Sequence, residues 1–227
     1  MAYVKRIICL ANSYKPPNGR CIAGREVLAT AEYGGWIRPV SARPTAELSF
    51  SEYEYENNTS PKLLDIIDVP LSEAAPHNHQ TENYVIDAES WWLKKGELPW
   101  DELEQLRDRP KSLWINSGRT NVGYYDCLSQ AEAATLNSSL LLIRQEHFTL
   151  EIGRNPFTGK RAYRGNFDYN GTHHNFSVTD PVARYKPEGD YQLNDVYLCI
   201  SLTEPFDKDG RCHKLVAAII SNPPLRA

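Results

Sequence analysis

The stretch Arg161-Ala-Tyr-Arg-Gly-Asn-Phe-Asp-Tyr169, Asn170-Gly171, Thr172-His-His-Asn-Phe-Ser-Val178 decides the fold class. Its first part alternates strictly. Arg161, Tyr163, Gly165, Phe167 and Tyr169 point one way, and Ala162, Arg164, Asn166 and Asp168 the other, the period of a half-buried strand. Asn-Gly is the strongest short signal for a two-residue hairpin turn. The return strand puts His174, Phe176 and Val178 on one face and His173, Asn175, Ser177 and Thr179 on the other. The chain therefore contains an antiparallel hairpin with one apolar face, and that face needs a partner.

Partners lie on both sides of the hairpin. Leu140–Ile152 reads as one or two strands before it, and Val196–Leu202 and Lys214–Ile220 as buried strands after it, joined by the turn-forming Asp207-Lys-Asp-Gly-Arg211. The first half repeats the pattern, with strands expected over 3–11, 20–27, 35–41, 63–71 and 84–86, and a Pro/Asn/Gly turn at 16–19. Helical signal is confined to the middle. Trp100, Leu103 and Leu106 recur at helical spacing between Pro99 and Arg109, with acids first, bases last and Pro110 as a stop. Ser129 and Glu132 form a capping-box pattern. About five strands in each half predict a mainly β protein with short helices. The expected architecture is two OB-like five-stranded barrels packed together, over 1–125 (with a helical insertion) and 126–227. A single sandwich of nine or ten strands is the rival.

The 227 residues are 41% hydrophobic and 24% charged, which excludes a disordered or fibrous chain. The net charge of −4 excludes unselective coating of nucleic acid. That charge is partitioned. Residues 1–44 carry seven bases against two acids, a net of +5; residues 45–110 carry five against fifteen, a net of −10; the remainder is near balance. The apolar run Ile7–Ala11 is too short for a signal-peptide core, and no stretch reaches membrane-span length. Five cysteines without a Cys-x-x-Cys pair do not suggest a disulfide framework. The expected location is cytoplasmic.

Several blocks carry a family resemblance. Arg6-Ile-Ile-Cys-Leu-Ala-Asn-Ser13, Gly19-Arg-Cys-Ile-Ala-Gly-Arg-Glu26 and Trp36-Ile-Arg-Pro-Val-Ser41 resemble blocks of the prokaryotic dual OB-containing proteins. So do His79-Gln-Thr-Glu-Asn83, Val178-Thr-Asp-Pro181 and Lys214-Leu-Val-Ala-Ala-Ile219. The resemblance runs from about residue 3 to 221. It implies two OB-like units, a nucleic-acid or nucleotide ligand, and a place in a prokaryotic defence or conflict system. Its motifs name no chemistry.

The candidate ligand residues fall in two groups. In the first half, Arg20 and Arg25 flank glycines that permit close backbone approach, beside Glu26, with Arg38 on a neighbouring strand. Paired guanidiniums suit a phosphate or carboxylate. The alternative is pairing with the chain's own acids. Gln80 and Asn83, beside Glu82, either bond across the junction between units or meet a base edge. In the second half, Arg154, Lys160, Arg161 and Arg164 lie among Phe157 and Tyr163, where an OB unit takes single strands. Arg161 shares the face of the core aromatics and is expected at the rim. Arg164 faces the other way. Asp180 is read either as an acid/base group or as an Asx-type bend. His77-Asn-His79 offers two imidazoles and no third ligand, so no metal or cofactor is expected.

The leading expectation is a protein that binds single-stranded nucleic acid or a nucleotide. A protein-interaction module is the second reading, from Trp91, Trp92, Trp100 and Trp114 in or beside the acidic segment. An enzyme on a nucleotide or modified base is the third, with Asp126 and Asp180 as acid/base candidates. No triad supports catalysis, and the catalytic residues stay unknown.

Overall fold

The computed structural model describes residues 2–15 and 19–225. The turn expected at 16–19 lies, except for Gly19, outside the described residues. The chain forms two units, Met1–Leu106 and Arg107–Ala227.

The first unit contains β1 (Tyr3–Lys15), β2 (Gly19–Val27), β3 (Tyr33–Val40), α1 (Phe50–Tyr53), β4 (Asp65–Ala74), β5 (Asn83–Ile86), β6 (Leu93–Glu97) and a 3-10 helix over Trp100–Leu106. Five of its strands close a ring, β1-β2-β3-β5-β4 and back to β1, with β6 added outside β4. The pairs are antiparallel except β3 with β5, where Arg38 lies opposite Asn83. Ile7, Ile22, Ile37, Ile67 and Trp92 fill the interior. Between Cys9 and Ala11 the β1–β2 register shifts, with Gly24 opposite Cys9. A Cβ on Gly24 would fall on the Ile8 carbonyl, so only glycine lets the two backbones approach this closely.

The second unit contains β7 (Cys127–Ser129), α2 (Gln130–Ala133), β8 (Leu140–Arg154), β9 (Arg161–Tyr169), β10 (Thr172–Val178), α3 (Val182–Tyr185), β11 (Gly189–Pro205) and β12 (Arg211–Ile220). Its ring runs β8-β9-β10-β12-β11 and back to β8, with β7 outside β12. Counted from the first strand of each ring, this is the order of the first ring. The third and fifth strands again pair in parallel, at Ser177–Leu215 and Val178–Val216. Five strands closed in this order form the OB barrel twice over, and the single sandwich is excluded.

The hairpin that opened the sequence reading is β9–β10. Asn170 (φ 48°) and Gly171 (φ 78°) both adopt the left-handed backbone of its two-residue turn. Phe167, Phe176 and Val178 are buried in the core with Phe148 and Leu150. Each such side chain is worth about 1.5–3 kcal/mol of burial. The expected capping box is present: Ser129 Oγ accepts from Glu132 N at 3.2 Å, and Ser129 N donates back to Glu132 Oε2 at 2.9 Å.

One expectation changes. The segment expected as a helix to Arg109 is a 3-10 helix ending at Leu106. Trp100, Leu103 and Leu106 recur every third residue, the 3-10 repeat, and Leu103 and Leu106 are the buried pair. Residues 107–125, assigned to the first unit by sequence, bond within the second. Tyr169 Oη donates to Pro110 O at 2.7 Å, and Lys214 Nζ to Ile115 O at 2.9 Å. No helix among the described residues is long and apolar enough to cross a membrane.

Candidate nucleic-acid interface

The loop joining the first and second strands of the second barrel, residues 155–160, is built by one asparagine. Asn155 Oδ1 accepts from Phe157 N at 2.9 Å and Thr158 N at 3.1 Å. Its backbone N–H donates to Lys160 O at 2.8 Å, and Gly159, at φ 66°, donates to Asn155 O at 2.9 Å. This Asx-type turn leaves Phe157 68% exposed at the tip. Arg154 flanks it, exposed, with Nη1 on Gly159 O and Nη2 on Glu188 Oε1, both at 3.3 Å. Lys160 is exposed. The Arg161 guanidinium lies over the Tyr163 ring at 5.5 Å and donates to the Lys186 carbonyl. Lys186 Nζ in turn lies over Tyr191 at 5.2 Å. Cations and rings thus alternate at this end of the barrel.

Arg164, on the outer face of β9, is engaged throughout. Nη1 donates to Ser177 Oγ at 2.6 Å, Nε to Asn175 Oδ1 at 2.5 Å, and Nη2 to Asn175 O at 2.6 Å and Asp126 Oδ2 at 3.2 Å. Burial works against its charge and lowers its pKa, opposed by Asp126. Asp180 caps a bend: Oδ1 accepts from Val182 N at 2.9 Å and Oδ2 from Ile219 N at 2.8 Å.

A family model for the dual OB-containing domain matches residues 5–219. The chain belongs to the dual OB-containing domain family. No curated protein matches the sequence. Among solved structures, the crystal structure of the tetrameric p202 HIN2 is similar over 96% of this chain and 92% of that one. The identity is 9% and the TM-score 0.32, too slight a likeness to argue from.

In the first OB unit of this family member, the basic block and the acidic block meet. Arg6 forks onto Asp68 at 2.6 and 3.0 Å, Arg43 reaches Glu52 at 2.6 Å, and Arg38 reaches Glu82 at 3.2 Å. Arg38 and Glu82 are both buried. The partition of charge along the chain is therefore in part folded back on itself. Glu26 takes Lys5 at 2.7 Å, Arg25 lies over the Trp36 ring at 5.4 Å, and Arg20 pairs its backbone with Leu48 in both directions at 2.9 Å. Trp36 is only 9% exposed. Asn83 Nδ2 donates to Gln80 Oε1 at 3.3 Å, both buried between β4 and β5. Arg20, Arg25, Glu26, Arg38, Gln80 and Asn83 thus sit around β2, β3 and the β4–β5 loop.

Sequence reasoning missed Tyr124. It belongs to no barrel strand, and only folding brings it beside β10. Its backbone pairs with Asn175 in both directions at 3.3 Å.

Proposed function

We propose that this dual OB protein binds single-stranded nucleic acid or a nucleotide, and that the second barrel carries the interface. The observation that supports this most is Phe157, held out in water by a hydrogen-bonded turn and flanked by Arg154, Lys160 and Arg161. An apolar ring placed there contributes nothing to the core. Beside three cations it suits a base stacked on the ring with its phosphates neutralised alongside. The loop between strands one and two is also where OB barrels take oligonucleotides. Titration of a labelled single strand across a range of salt concentrations tests the reading: affinity should fall steeply with salt, and affinity indifferent to salt removes it. A role in a prokaryotic defence or conflict system accompanies the proposal as an expectation of the family resemblance, and a cytoplasmic location as an expectation of the sequence.

A second reading, a protein partner, is favoured by Trp91 and Leu93, which are exposed at the start of the outer strand β6. Trp92 between them is packed in the first core, and Trp114 is partly buried against the second. If a neighbouring gene product co-elutes in gel filtration and single strands do not bind, this second reading stands instead.

A further inference from the structure

The third and fifth strands of the second barrel pair only near Ser177 and Val178. Beyond that point, residues 118–127 run between them as a strap. The Tyr124 backbone bonds to Asn175 on β10, and Lys214 N on β12 donates to Asp126 O at 2.8 Å. The strap is pinned from within. Asp126 Oδ1 accepts from Thr120 N at 2.7 Å, and Oδ2 accepts from Thr120 Oγ1 at 2.6 Å and from Arg164. A Cβ on Gly123 would fall on the Asp126 carboxylate, so the pin needs glycine there. The next residue but one, Tyr125, holds φ 53°, a left-handed backbone that is strained for a bulky side chain.

These arrangements converge on Tyr124. The residue is 51% exposed, and its ring meets His173 edge to face, with centroids 5.8 Å apart. His173 is also half in water, and its Nδ1 lies 2.9 Å from Asp168 Oδ1. An ion pair, a glycine and a strained backbone are thus spent on fixing a ring that the core does not use. On this face Asn175 pairs with the neutral amide Asn166, and His173 with the exposed carboxylate Asp168. This surface offers stacking and hydrogen bonding rather than phosphate neutralisation.

We propose that Tyr124 and His173 form a nucleobase-stacking platform on the outer face of the second barrel, with Arg164 as its positioning residue through Asp126. The proposal rests on the single-strand binding argued above and names a second contact for that ligand. Along β9, Arg161 and Asp168 are seven residues apart, about 23 Å at the usual strand rise. A strand of a few nucleotides therefore has the length to reach from the cationic loop to the platform, within the site size of a single OB barrel.

The test compares a ten-nucleotide oligothymidylate with an abasic oligomer of the same length, each titrated by fluorescence anisotropy. The wild type should prefer the base-bearing strand by about a hundredfold, about tenfold from Phe157 and about tenfold from the platform. Tyr124→Ala should lower that preference about tenfold while leaving the salt slope unchanged, because no phosphate contact is lost. Tyr124→Phe, which keeps the ring, should retain the whole preference, and Arg164→Gln should lose the same tenfold share by loosening the strap. If Arg164→Gln unfolds the barrel, Tyr124→Ala carries the test, since its ring is half in water. If Tyr124→Ala keeps the preference, or lowers the salt slope, the platform is overturned and the binding reading survives. If the wild type binds neither strand, both are overturned.

Discussion

Arg164 Nη2 lies 3.2 Å from Asp126 Oδ2, tying the second strand of the second barrel to a segment outside its five strands. The Asp126 side chain is 3% exposed, and that of Arg164 12%. A pair so nearly dry is costly to break from one side, because the remaining charge stays buried. Asp126→Ala should therefore destabilise the protein by about 3–5 kcal/mol, read as a shift in the urea midpoint. Gly123→Ala displaces the same carboxylate. The double variant should cost clearly less than the two single costs added together, and strict additivity would show that the two residues act separately.

His174 is fully buried among Phe167, Phe176 and Tyr125, and neither ring nitrogen has a hydrogen-bond partner among the described residues. Burial, aided by the Lys214 charge, pushes its pKa down to about 4. The unfolded chain binds this proton from about pH 6.5 downward, and the folded chain only near 4. Stability is then complete above about 6.5 and falls, by about 3 kcal/mol from this group, as pH drops through 4. His174→Phe should be neutral or stabilising at pH 7 and should flatten the acid limb of a urea-midpoint profile. An unchanged acid limb would assign that loss to other groups.

In the first barrel, Tyr55 Oη donates to Asp65 Oδ2 at 2.8 Å, and Lys62 N donates to the same oxygen at 2.9 Å. Burial and the Asp65 charge both raise the Tyr55 pKa well above the ordinary phenol value. Tyr55→Phe removes one donor from a buried carboxylate and should cost about 1–3 kcal/mol in chemical denaturation. No measurable cost would mean that Lys94 and the Lys62 backbone N–H satisfy Asp65 without the phenol.

At the loop of the second barrel, Arg154→Ala and Lys160→Ala should each weaken single-strand binding and lower the salt slope by about one. Phe157→Ala should weaken binding by about tenfold with the slope unchanged. The same anisotropy titrations at several salt concentrations read both effects. A slope unchanged in the two charge variants would mean that neither cation meets a phosphate.

The β9–β10 hairpin was legible because its information is local: alternation sets the buried face, and Asn170-Gly171 sets the turn. The five-strand count in each half was legible for the same reason. What escaped the sequence is non-local. Nothing near Tyr124 announces that it will pair with Asn175, 51 residues on. The pairing of Arg38 with Glu82 or Arg6 with Asp68 shows in a sequence only as a lopsided charge count. Arg164 looked like a contact because its strand face was legible, while Asp126, which occupies it, arrives from outside the barrel. The 3-10 helix was misread as longer because a three-residue repeat mimics the helical spacing over two turns.

Gly24 has a consequence for how the first barrel assembles. A slip of two residues between β1 and β2 would keep every side chain on its proper face, so burial alone does not forbid it. Such a slip would bring Ile22 or Glu26 to the place where the Ile8 carbonyl leaves no room for a side chain. Gly24 is thus an alignment mark: only the native register sets it against the Ile8 carbonyl.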